Sequence, residues 1–108
     1  MPRLSMAYYD DIFRNTPHRI PMIKDLLVKD FRAMEANFFS AVDKRDIHAM
    51  RAELHKMYPI ISNLRFSEML SLLEKYRKQK EYSEELGILN EELRNCLSSI
   101  YEFLLSGN

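Results

Sequence analysis

The sequence predicts an all-α protein: an up-down-up-down four-helix bundle with a short N-terminal helix in front of it. Three observations predict this. Apolar residues recur at three- and four-residue steps through four separate segments. The connections between those segments are short, which favours antiparallel neighbours. Only two glycines occur, Gly87 and Gly107, too few for hairpin turns or a glycine-rich phosphate loop.

Met6 to Phe13, with Tyr9, Ile12 and Phe13, reads as a short helix that packs across the bundle. The first long helix, over 17–42, carries Ile23, Leu27, Phe31, Met34, Phe38 and Val42 on one face. Thr16 ahead of Pro17 is a plausible N-cap, because proline is tolerated in a first turn; a start at Pro21 is the alternative. Asp43-Lys44-Arg45-Asp46 is a polar turn, and Asp46 is a good cap for the second helix. That helix, over 46–63, has the stripe Ile47, Met50, Leu54, Met57 and Ile61, continued by Leu64. The third, over 66–78, has Phe66, Met69, Leu70, Leu73 and Tyr76, with Ser67 as its cap. The polar stretch Arg77 to Ser83 then breaks the pattern. Ser83, followed by Glu84 and Glu85, opens the last helix, over 84–105. Its Leu86, Leu89, Leu93, Leu97, Ile100 and Leu104 face inward, and Gly87 weakens its first turn slightly. Met34, Met50, Met57 and Met69 fall on the stripes, as core residues rather than as an adaptable binding groove.

The 108 residues make one domain, 1–108, long enough to bury roughly two-thirds of its unfolded surface. A lone cysteine, Cys96, excludes an internal disulfide and any metal-type cysteine spacing. It suits a reducing, cytoplasmic setting, and its place on the last stripe makes it a small core residue. No apolar run approaches the ~18 residues of a membrane span, and Met1 to Tyr9 lack the apolar core of a secretory signal. Sixteen basic and sixteen acidic residues cancel, which argues against nucleic acid as a partner. Lys75, Arg77, Lys78 and Lys80 do cluster, but Glu74 and Glu81 flank them, as at a solvated helix end.

His55 stands apart from these stripes. At about 100° per residue it lies roughly 120° from the centre of the second helix's apolar face, so it points outward. Arg51, Tyr58 and Ser62 fall on the same side at helical spacings, and so does His48. Side chains lean towards the helix N-terminus, which brings Tyr58 back towards the imidazole. A neighbouring cation would favour a phosphoryl group on an exposed imidazole, and Arg51 suits that geometry; Lys56 points further round. Pro59 cannot donate to the His55 carbonyl, so the helix is expected to bend or loosen between His55 and Asn63.

The stretch Ala52-Glu53-Leu54-His55-Lys56-Met57-Tyr58-Pro59-Ile60-Ile61-Ser62-Asn63-Leu64 resembles the phosphoacceptor helix of histidine phosphotransfer (HPt) domains. The family's motif is commonly Ala-His-x-Leu-Lys-Gly, with small residues and a glycine turn after it. Asp43 to Asp46 matches the turn before that helix, and Leu70, Leu73 and Glu74 match the helix after it, so the resemblance spans roughly residues 8 to 105. It implies that His55 is the phosphoacceptor, with Arg51, Lys56, Tyr58 and Ser62 as supporting residues. It also implies a passive carrier rather than an enzyme, with no cofactor and no metal of its own. The implied partners are a response-regulator receiver domain, a hybrid histidine kinase, or both. The chain departs from the motif where the family's lysine is Tyr58, its glycine Pro59 (a proline that some bacterial members share) and its later glycine Arg65.

The other reading is an HPt-like module that binds a receiver or kinase without taking phosphate, which loss of the lysine would favour. A di-iron bundle needs paired Glu-x-x-His elements, and the residues three before His48, His55 and His18 are Arg45, Ala52 and Asn15. No serine or cysteine pairs with His55 as a hydrolase nucleophile would. A basic recognition helix for DNA is missing too.

Overall fold

Each apolar stripe becomes one helix in the computed structural model, which describes residues 3–106. The ends of the expected domain, Met1, Pro2, Gly107 and Asn108, lie outside the described residues. The elements are α1 (Ala7–Ile12), α2 (Ile20–Asp43), α3 (Ile47–Asn63), α4 (Ser67–Arg77) and α5 (Leu86–Leu104), with no strand among the described residues. Helix α2 packs on α3, α3 on α4, α4 on α5, and α5 back on α2. That closed ring is the predicted four-helix bundle. None of these helices is long and apolar enough to cross a membrane.

Tight turns force the antiparallel order. After α2, the Asp46 amide donates to the Ala41 carbonyl (2.9 Å) and the Arg45 amide to Val42 (3.0 Å). After α3, the Phe66 amide reaches Ile61 (3.2 Å) and the Arg65 amide Ser62 (3.1 Å). Both are Schellman endings, in which one left-handed residue turns the chain and satisfies the last carbonyls. That residue is Arg45 (φ 54°) in the first and Arg65 (φ 58°) in the second. Phe66 and Ile61 are both buried, so the second turn also has the apolar contact that usually accompanies the motif.

The core is one cluster, with Phe31, Phe38, Phe66 and Tyr76 fully buried at its centre. Two tyrosines tie helices together through their hydroxyls. Tyr76 of α4 donates to Asn90 of α5 (2.7 Å), and Tyr101 of α5 donates to Glu35 of α2 (2.6 Å). Helix α1 lies beside the end of α3: the Ser5 amide donates to the Leu64 carbonyl (2.8 Å), and the Tyr9 side chain hydrogen-bonds Asn63.

Four details differ from the sequence-based expectation. Thr16 precedes a 3₁₀ turn, Pro17–Arg19, without a capping side-chain bond, and α2 begins at Ile20 with Pro21 in its first turn. Phe66, not Ser67, holds the cap position of α4; the Schellman turn has already set the chain's entry angle there. Helix α5 begins at Leu86, because Leu86 and Gly87 donate to carbonyls three residues back, Ser83 and Glu84, in a tighter lead-in turn. Cys96 packs against the core but is only half-buried.

Candidate functional site

Asp46 starts the site by fixing the start of α3. Its carboxylate accepts from the Ala49 amide (3.1 Å), one of the donors that a helix start leaves open. From there the apolar face of α3 turns Met50, Leu54, Met57 and Ile61 into the core. His48, His55, Tyr58 and Ser62 are left exposed. The helix continues through Pro59 to Asn63, so the His55 carbonyl receives no bond from residue 59, whose nitrogen carries no hydrogen.

His55 lies on the edge of an open cleft of about 610 Å³ between α3 and α4. Arg51 and Tyr58 line the cleft on the same helix, one turn before and one turn after His55. The buried side chains of Leu54, Leu73 and Tyr76 make an apolar floor, and the exposed Glu74 and Arg77 stand on the α4 side. Burial raises the pKa of Tyr76 well above that of an ordinary phenol. Its hydroxyl therefore stays protonated and donates to Asn90 of α5.

The cations are already engaged. Arg51 is half-buried, and its Nη2 donates to the carbonyl of Arg77, the last residue of α4, at 3.2 Å. That bond satisfies one of the open carbonyls at a helix C-terminus, where positive charge is favourable. The Nε of Arg51 is buried without a hydrogen-bond partner. Arg77 holds Glu74 at 3.5 Å. Lys56 does not line the cleft; its Nζ pairs with Glu53 at 2.9 Å. Glu53 is itself buried, with its second oxygen unpaired. Ser62 lies further along α3, outside the cleft lining.

Of the residues expected around His55, the fold therefore brings Arg51 and Tyr58 to it and leaves Lys56 and Ser62 apart. The α4 contribution was not read from the sequence, although a signal for it exists. In a tight antiparallel pair, residues at similar distances from the turn stand nearly level, and Arg51 and Arg77 lie 14 and 12 residues from Arg65, the residue that turns the chain. Among the described residues no three His, Cys, Asp or Glu side chains come together as metal ligands. Compared with models of protein families, with characterised proteins and with solved structures, the chain matches none.

Proposed function

We propose that this protein is a histidine phosphotransfer carrier of a two-component phosphorelay, with His55 as its phosphoacceptor. The observation that carries this reading is an exposed histidine in the middle of a capped helix, on the edge of a cleft that also holds an arginine one turn away. A receiver domain needs such access to bring its aspartyl phosphate in line with a ring nitrogen. The nitrogen lone pair attacks phosphorus, the acyl-phosphate P–O bond breaks, and the electron pair leaves with the receiver's carboxylate. A rigid four-helix scaffold keeps the imidazole in place without supplying chemistry of its own. The receiver provides the metal and most of the charge stabilisation.

A second reading has a specific observation in its favour. Tyr58 stands where the motif has a lysine, while Arg51 and Lys56 are held by other groups. A chain of this kind would bind a receiver or kinase as an adaptor and take no phosphate. Incubation with a phosphorylated receiver and magnesium separates the two. The carrier acquires an acid-labile label that is lost in His55→Gln and kept in His48→Gln and His18→Gln. In Tyr58→Lys the label appears faster, because a cation then faces the transferring group. An unlabelled wild type beside a labelled Tyr58→Lys variant identifies the adaptor instead.

A further inference from the structure

We propose that Arg51 is a charge-sensitive latch: a phosphoryl group on His55 draws it off the carbonyl of Arg77 and loosens the end of α4. The proposal rests on the reading of His55 as a phosphoryl acceptor and adds a consequence inside the carrier itself. Arg51 and His55 are separated by one helical turn and line the same cleft, with Arg77 opposite. The present hold on Arg51 is a single bond of 3.2 Å to a backbone oxygen. Its Nε is buried and unpartnered, so the folded protein leaves one donor of a cation without compensation. A dianion beside it offers what the carbonyl does not, two charged oxygens spaced for the paired N–H groups of a guanidinium.

The other cations nearby have carboxylate partners of their own. Arg77 pairs with Glu74 at 3.5 Å, and Lys56 with Glu53 at 2.9 Å on another side of α3. Glu74 would repel the new charge, which strengthens the demand on Arg51.

When Arg51 leaves, the final turn of α4 loses its side-chain cap. Beyond the helix's own ladder, the Tyr76 carbonyl still accepts there from the amides of Lys78 and Gln79, the latter at 3.0 Å. Residues 78–85, which join α4 to α5, form no helix of their own, so loosening passes directly into that connection. The phosphorylation state of His55 is then readable at the C-terminal end of α4 and in the connection that follows it.

Amide hydrogen exchange on the full chain tests this. A His18→Gln/His48→Gln background leaves His55 as the sole histidine, and phosphoramidate serves as the donor. Its P–N bond breaks, ammonia leaves, and a new P–N bond forms to the imidazole, with no receiver required. A His55→Glu variant supplies a fixed negative charge by a second route. In both, exchange at Arg77, Lys78 and Gln79 rises roughly two- to tenfold, the equivalent of one hydrogen bond, while amides around Leu97 in α5 stay unchanged. With Arg51→Gln added, those three amides exchange fast from the start and no longer respond. Unchanged exchange in either charged form, or an equal response in Arg51→Gln, overturns the latch. Amides that respond in a protein no receiver can label leave the latch standing and defeat the carrier. Receiver labelling without an amide response does the reverse.

Discussion

Arg65 shows how much one backbone angle can decide. Its φ of 58° places a side-chain-bearing residue in the left-handed region, where the Cβ crowds the following carbonyl at about 1–2 kcal/mol. Glycine is the residue that a left-handed turn position of this kind, here in the Schellman turn after α3, favours. Arg65→Gly removes the steric cost and adds back part of it as greater freedom in the unfolded chain. The expected net effect is a stabilisation of about 0.5–1 kcal/mol, read as a higher denaturant midpoint with an unchanged slope. No rise in midpoint would mean that the arginine side chain recovers the backbone cost through its own contacts. Gly87 is the opposite case, since a Cβ built there meets nothing within 4 Å and no turn requires it.

At the scale of the element, α3 is a helix with a proline in its interior. Asp46 secures its first turn and the Leu64-Arg65-Phe66 turn its last, while the apolar face between them is buried. Those contacts hold the helix together through Pro59, which on its own would break it. The cost falls on the His55 carbonyl, which lacks its bond from residue 59. Pro59→Ala is therefore expected to stabilise the protein by up to about 3 kcal/mol. Amides from Lys56 to Asn63 should exchange more slowly as well. A variant no more stable than the parent would show that α3 has already absorbed the proline at little cost. Because Pro59 is exposed, the substitution leaves the core packing intact and reports on the helix alone.

For the whole molecule, three further titrating groups join Tyr9 in having a pKa raised by packing among the helices. Burial raises the pKa of Tyr76 and of Tyr101, the latter also through the hydrogen bond to Glu35. Burial likewise pushes the Cys96 thiol from 9.0 up to about 11. All three are neutral when protonated, so the folded state favours the protonated form more strongly than the unfolded chain does. Their contribution is therefore fully present below about pH 9, the ordinary range of a thiol. It is lost as pH rises, first through the Cys96 step up to about 11 and then through the tyrosines. Thermal melts followed by circular dichroism should show a midpoint that these groups leave unchanged from pH 7 to 8.5 and that falls steadily above pH 9. Tyr101→Phe should flatten part of the alkaline fall. A melting temperature constant to pH 11 would show that these side chains reach solvent before unfolding.

The number, order and inward faces of the helices were determined by the sequence itself. Stripes such as Leu27-Phe31-Met34-Phe38 repeat at the period of a helix, and that period is a local property of the chain. The Asp46 cap was legible for the same reason, since its carboxylate reaches only three residues ahead. The outward direction of His55 also followed from helical spacing alone. Ser67 and Ser83 carry the composition of caps, yet the Schellman turn and the tight lead-in to α5 set those boundaries. Only the tertiary structure decided what surrounds His55. The floor of Leu73 and Tyr76, and the choice of Arg77 as partner for Arg51, depend on how α3 and α4 are set against each other. Lys56 and Ser62 stand outside the cleft for different reasons: Lys56 is turned about 100° round the helix from His55, whereas Ser62 shares its face but lies two turns further along. A side chain long enough to reach a neighbouring helix meets whatever the packing places there, and no spacing within its own helix records that.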